Sequence, residues 1–205
     1  MYLKIHPETP SQRQVQRVAE ILRNDGIIIY PTDTVYALGW SINNNKAEER
    51  ISQIRQDKKQ RTSFSLICKD LSQASDYTKP VDKSTFKLLK HNLPGPFTFL
   101  LPASNKVPRI YGGKKNVVGI RIPGNNIPLA IVEELGHPIM TTSLHNNDDE
   151  FIDHMADPQL IFEKYDKQVD VIIDGGTGNM DGSTVVDCSN SEPTIVREGI
   201  GNLVS

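Results

Sequence analysis

Residues 27–39, Ile-Ile-Ile-Tyr-Pro-Thr-Asp-Thr-Val-Tyr-Ala-Leu-Gly, constrain the fold more than any other stretch of this sequence. Ile27, Ile28 and Ile29 are β-branched, and a run of such residues is stiff at χ1 and packs well on a pleated surface. Pro31 has no N–H to give to a ladder, so pairing is expected to stop there. Thr32, Asp33 and Thr34 then put two hydroxyls and a carboxylate just past the strand's C-terminal end. In open α/β sheets ligands bind at that end. The segment is therefore expected to begin as a buried strand and to end as a polar pocket wall. The same residues also suit a turn whose side chains cap only backbone groups.

The rest of the chain alternates helical and strand-like stretches, which is the pattern of an α/β protein. Val15, Val18, Ala19 and Leu22 recur at helical spacing behind Ser11, which predicts a capped helix to about Asn24, ended by Asp25-Gly26. Helices are predicted over 46–55 and 126–135, and behind the capping residues Asp70, Asp82 and Asp157, the last followed by Pro158. Strands are predicted over 64–68, 97–101, 117–122 and 138–142, and in the tail over 169–173, 183–187 and 193–197. No repeat or low-complexity linker divides the sequence, so residues 1–205 are expected to form one domain.

Charge and composition narrow the function. With a formal net charge of −2, bulk attraction to nucleic acid is not expected, although local basic patches remain open. Cys68 and Cys188 are far apart and in no Cys-x-x-Cys spacing, which argues against a zinc site or a disulfide scaffold and suits a reducing cytoplasm. The N-terminus has no apolar signal core, and no stretch approaches the roughly 18 apolar residues of a membrane span.

Several segments carry groups suited to chemistry. Arg55, Lys58, Lys59 and Arg61 cluster before a predicted strand and could hold a triphosphate or an RNA backbone, or simply face solvent. Leu93-Pro-Gly-Pro-Phe-Thr98 is a stiff turn that could line a site without reacting. Arg121 lies in an apolar strand-like run. Buried there it needs an internal carboxylate or a ligand anion, because an unpaired buried charge is costly. Pro138 to Asn146 runs from strand into hydroxyls and amides and includes Ser143 and His145. Ser183 and Arg197 could both serve an anion, or could be a turn serine and a surface ion pair. No P-loop, no His-Glu-x-x-His and no nucleophile elbow is present. These groups suit positioning and charge stabilisation better than covalent catalysis.

Taken in order, Tyr30-Pro-Thr-Asp-Thr-Val-Tyr-Ala-Leu-Gly39, Pro94-Gly-Pro-Phe-Thr98, Gly119-Ile-Arg-Ile-Pro123, Pro138 to Ser143, Ser183-Thr-Val-Val-Asp187 and Arg197-Glu-Gly199 resemble the YrdC family over nearly the whole chain. His6-Pro7, Ile54-Arg-Gln56 and Leu66 to Ser72 resemble its YciO branch. The resemblance implies a YrdC/RibB-like fold, in which helices pack around a twisted open mixed sheet with a large basic cavity. It also implies formation of L-threonylcarbamoyl-adenylate from ATP, L-threonine and bicarbonate, for tRNA modification, with Mg²⁺ accompanying the nucleotide and no tightly bound cofactor.

Carried over by motif, Thr34, Thr32, Tyr36, Arg121 and Ser183 would meet the amino-acid substrate. Lys59, Arg61, Ser143, His145 and Arg197 would meet the nucleotide. Two segments depart from the family pattern. Lys59-Gln-Arg61 keeps the Lys-x-Arg spacing but lacks the prolines that usually follow, and Ser143-Leu-His145 stands where the family has Ser-Ala-Asn. The resemblance therefore leaves two functions open. One is the synthase. The other is an RNA-binding protein without the full reaction, using Lys58, Lys59, Arg61, Lys106, Arg109, Lys114 and Lys115 on double-stranded RNA or tRNA.

Overall fold

The chain does not leave the sheet at Pro31. In a computed structural model that describes residues 1–55, 64–108, 116–144, 155–190 and 192–204, strand β2 (Ile27–Tyr30) stops at the proline as expected. It then turns through residues 31–36 and returns antiparallel as β3 (Ala37–Ser41), with Tyr30 opposite Ala37 and Ile28 opposite Gly39. What sequence marks as pocket wall at residues 37–39 is thus strand, and only the turn between the strands is free to line a site.

The remaining elements, in chain order, are β1 (Tyr2–Lys4), α1 (Gln12–Arg23), α2 (Ala47–Arg55), β4 (Ser65–Ile67), α3 (Leu71–Tyr77), α4 (Lys83–Asn92), β5 (Phe97–Pro102) and β6 (Val117–Arg121). They continue with α5 (Asn126–Leu135), β7 (Ile139–Ser143), α6 (Pro158–Tyr165), β8 (Val171–Asp174), β9 (Thr184–Asp187) and β10 (Thr194–Arg197). Among the described residues the strands form one mixed sheet in the order β1-β8-β2-β3-β7-β4-β6-β5-β9-β10. No helix of the described residues is long and apolar enough to cross a membrane.

Local chemistry explains the helix starts. Asp70, Asp82, Asn125 and Asp157 each accept a backbone N–H of the first turn, from Gln73, Thr85, Ile127 and Gln159 respectively. Ser11 precedes α1 but makes no side-chain cap bond; its carbonyl takes the N–H groups of Gln14 and Val15 instead. At Asp82 the Ser84 hydroxyl, the Thr85 amide and the Thr85 hydroxyl all donate to one carboxylate, which holds it down to about 2. A carboxylate depressed in the fold stabilises it fully above the ordinary range and loses that contribution as pH falls through the lowered value. The Thr85 amide NMR signal should therefore titrate between about pH 4 and pH 2 and stay flat from about pH 5 to pH 7. A midpoint near 4 would contradict this cap.

Both sheet faces are buried in this region, so β2 reads as one continuous apolar run. Ile28 and Tyr30 face a cluster built with Val15, Val18 and Leu22 of α1 and Ile127, Ile131 and Val132 of α5. Ile27 and Ile29 face the opposite cluster, with Leu38, Trp40, Ile51 of α2, Leu89 of α4 and Ile161 of α6. Gly39 fits because the Tyr30 ring crosses it: a Cβ there would lie 2.6 Å from Tyr30 Cε1. The Tyr30 hydroxyl donates to Thr141 Oγ1 at 2.7 Å, and Thr141 passes its own hydrogen to Leu38 O.

Candidate functional site

The apolar cluster under α1 and α5 takes side chains from β2, β3, β4, β7 and β8, but none from β5, β6 or β9 among the described residues. On that same face the pattern changes from large and apolar to small and polar. Directly opposed residues share a face, and the register runs Gly39–Thr141–Ser65–Gly119 across four neighbouring strands. A Cβ at Gly119 would sit 2.4 Å from Ser65 Oγ and 3.2 Å from Thr98 Cγ2, so the glycine lets the two hydroxyl-bearing side chains close over β6. Arg121, two residues along β6, points to this same polar floor.

Arg121 is the centre of one half of the site. Its side chain is 8% exposed, and Nη2 spends both hydrogens, one on Asp33 Oδ1 and one on Thr34 Oγ1, each at 3.0 Å. Its Nε–H is buried without a hydrogen-bond partner. The two partners that sequence leaves open are thus divided. An internal carboxylate, Asp33, takes one Nη2 hydrogen of the guanidinium, and the Nε–H remains an unused strong donor. Such an orphan costs on the order of 1–3 kcal/mol or more unless a ligand takes it. Asp33 is itself fixed, with Oδ2 accepting the Gly124 N–H at 2.8 Å.

The turn 31–36 holds the hydroxyls in one pattern. Thr32 Oγ1 donates to Val35 O at 2.9 Å and accepts the Thr34 N–H at 3.0 Å. Its hydrogen being used, the 3.0 Å contact between the two hydroxyls has Thr34 as donor. Thr34 Oγ1 therefore gives to Thr32 and receives from Arg121. Tyr36 is fully buried; its hydroxyl donates to Gly176 O at 2.7 Å and accepts the Gly175 N–H, and burial pushes the phenol well up. Tyr36 thus holds the neighbouring loop.

The second half lies around Ser183. Arg197 Nη2 donates to Ser183 O at 2.8 Å and to Ser183 Oγ at 3.2 Å, and Ser183 Oγ pairs with Thr98 Oγ1 at 2.8 Å. Burial, and then the charge of Arg121, pull Arg197 below the usual arginine range. The two positive charges are therefore near enough to disfavour each other, a conflict that an anion between them would relieve. The Pro94-Gly-Pro96 turn braces both halves: Gly95 N–H donates to Ile122 O, and Thr184 N–H donates to Pro96 O. It ties the residue after β6 to the start of β9.

Of the other residues that sequence singles out, Ser143 is half-buried at the end of β7, opposite Ala37 and on the face of Thr141. Arg55 closes α2, the helix expected over 46–55, and donates to Thr142 Oγ1. Lys106 is exposed and paired with Asp76 at 2.6 Å, which raises it. Lys58, Lys59, Arg61, Arg109, Lys114, Lys115 and His145 lie outside the described residues. Sequence reasoning names Asp33 and Thr98 within motifs but gives them no role, and passes over Asn179, which donates to Asp33 O. For Asn179 the surrounding glycines were the available signal. No group of His, Cys, Asp or Glu among the described residues is arranged to hold a metal ion.

The chain is similar to known proteins along most of its length. The Sua5/YciO/YrdC family profile, which bears the description "Telomere recombination", matches residues 20–199. YciO of Escherichia coli (strain K12), an uncharacterized protein, is 42% identical over 203 residues, which span 98% of this chain and 97% of that one. Its crystal structure matches with a TM-score of 0.90, over 98% of this chain and 97% of the other. The threonylcarbamoyl-AMP synthase of Bacillus subtilis (strain 168) is 30% identical over 192 residues, covering 91% of this chain and 53% of the synthase. The crystal structure of P. abyssi Sua5 complexed with L-threonine matches with a TM-score of 0.84 at 25% identity, over 97% of this chain and 57% of that one. The profile covers most of the chain and full-length relatives share its fold, so the chain belongs to the Sua5/YciO/YrdC family.

Proposed function

We infer that this protein binds L-threonine at Arg121 and Thr34, binds ATP on the Arg197 and Ser183 side, and joins them with bicarbonate as L-threonylcarbamoyl-adenylate. The observation that carries the reading is the buried Arg121 with Nη2 locked and Nε–H unpartnered. A guanidinium so held offers a fixed Nε–H donor to a carboxylate, and the desolvated charge makes that contact strong. Thr34 Oγ1 stands beside it for the substrate's polar groups. The threonine complex of P. abyssi Sua5 and the synthases among the relatives support the assignment of the amino acid.

The reaction needs the threonine amine as a carbamate, whose oxygen attacks the α-phosphorus of ATP while pyrophosphate leaves. Negative charge gathers on the phosphates in that step, and among the described residues the two guanidiniums would offset it. Both oxygens of Asp33 are already engaged by Arg121 and Gly124. A divalent ion would accompany the nucleotide, and no group of His, Cys, Asp or Glu among the described residues is arranged to hold it. Burial of the floor also keeps water from the mixed anhydride.

Isothermal titration with L-threonine and with MgATP separately, followed by product analysis with bicarbonate, tests this. Binding of both, and an adenylate that requires all three substrates, is expected. Absence of threonine binding would overturn the reading, as would RNA affinity that falls steeply with salt in a protein that forms no adenylate.

A further inference from the structure

The loop from Asp174 to Ser183 reads Asp-Gly-Gly-Thr-Gly-Asn-Met-Asp-Gly-Ser and connects the end of β8 to the second half of the site. Two of its glycines, Gly175 and Gly178, are required by close approach. A Cβ at Gly175 would lie 2.6 Å from Pro31 Cγ and 2.8 Å from Ile127 Cδ1, and one at Gly178 would lie 2.7 Å from Tyr36 Cδ2. The loop is thus laid against the very turn that carries Thr32, Asp33 and Thr34. Its base is set by the Tyr36 hydroxyl on Gly175 and Gly176, by Asp174 Oδ1 on the Gly176 N–H, and by the Gly178 N–H on Ala156 O.

At the tip of this contact is Asn179. Its Nδ2 donates to Asp33 O at 2.9 Å, and its backbone N–H donates to Thr34 O at 3.3 Å. The residue is exposed and is not part of either apolar cluster, so these two bonds are its visible contribution. They grip the two consecutive carbonyls that flank the Thr34 backbone. The peptide planes on either side of Thr34 set where Thr34 Oγ1 and the Asp33 carboxylate point, and those two groups hold Arg121 Nη2.

We propose that Asn179 is a positioning residue, which latches the glycine-rich loop onto the Thr32–Thr34 turn and so fixes Thr34 and Arg121 for the amino-acid substrate. This rests on the reading that Arg121 and Thr34 take L-threonine. Asn179 touches no reacting atom and acts through Asp33 and Thr34. A latch of this kind tunes one half of the site: the contacts among Ser183, Thr98 and Arg197 do not run through it.

The test compares the wild type with Asn179→Ala and Asn179→Asp; the second keeps the size and loses the side-chain donor. In ligand-free protein, hydrogen exchange at the Thr34 amide should rise several-fold in both variants, while the Thr184 amide, bonded to Pro96 O, stays unchanged. The L-threonine Kd should rise by about five- to tenfold and the MgATP Kd should stay within about twofold, with Tm within about 2 °C. Unchanged exchange at Thr34 overturns the proposal, and so does an equal weakening of both ligands with a lowered Tm, which is the mark of a purely structural role. If the wild type binds no L-threonine, the functional reading falls, and the Thr34 exchange alone decides whether the latch exists.

Discussion

Arg121→Met should cost this protein its L-threonine binding and much of its thermal stability together. The substitution keeps an unbranched side chain of similar length and removes every donor. Thr34 Oγ1 loses its donor, and Asp33, whose side chain is 10% exposed, keeps only the Gly124 N–H at its carboxylate. Breaking a buried pair in this way costs about 3–5 kcal/mol, because a charge stays behind without compensation. For a chain of this size that corresponds to a Tm lower by roughly 10 °C. Threonine affinity should fall by about 100-fold, the scale of a lost desolvated charge-assisted contact. The double variant Asp33→Asn/Arg121→Met separates the two effects. Removing the stranded carboxylate should recover most of the Tm and none of the threonine affinity. Calorimetric titration beside thermal melts reads both. If Arg121→Met binds threonine within about threefold of the wild type, Arg121 is not the carboxylate site.

Sequence makes the need for that pair visible but not the pair itself. Arg121 in an apolar run requires an anion, and Asp33 stands in a polar turn, yet 88 positions separate them and several carboxylates could serve. That Nη2 would be consumed while Nε–H is left over is a matter of side-chain geometry, which no spacing encodes. The α/β alternation and the caps at Asp70, Asp82 and Asp157 are legible because each depends on neighbours within one turn. Two strands escape for the opposite reason. β1 is three residues long and exists through parallel pairing with β8, with Tyr2 opposite Ile172. β3 contains Ala37, Gly39 and Ser41, which have little preference for strand on their own. They become one because β2 and β7 flank them, and because small residues are needed beneath the Tyr30 ring.

Gly199 carries the other large expectation, and it shows what the Arg197-Glu-Gly sequence is for. After β10 the chain wraps the start of β9: Gly199 N–H donates to Thr184 Oγ1, Thr184 Oγ1 donates to Gly201 O, and Ile200 N–H donates to Gly182 O. The wrap is so close that a Cβ at Gly199 would meet Gly182 O at 2.3 Å and Ser183 C at 2.5 Å. Those neighbours are backbone, so no side-chain rotation relieves the clash. Gly199→Ala must push the strap off residues 182–184, and Arg197, two residues upstream, moves with it. Overpacking against fixed groups costs about 1–3 kcal/mol, so Tm should fall by several degrees. The loss in function should be selective. MgATP affinity should drop about tenfold or more as Arg197 leaves Ser183, while L-threonine binding at Arg121 and Thr34, anchored through Asp33 and Gly124, stays within about threefold. A variant that melts like the wild type and binds MgATP normally would mean that the strap yields without moving Arg197. The reverse selectivity, with threonine lost and nucleotide kept, would mean that the two halves of the site have been assigned the wrong way round.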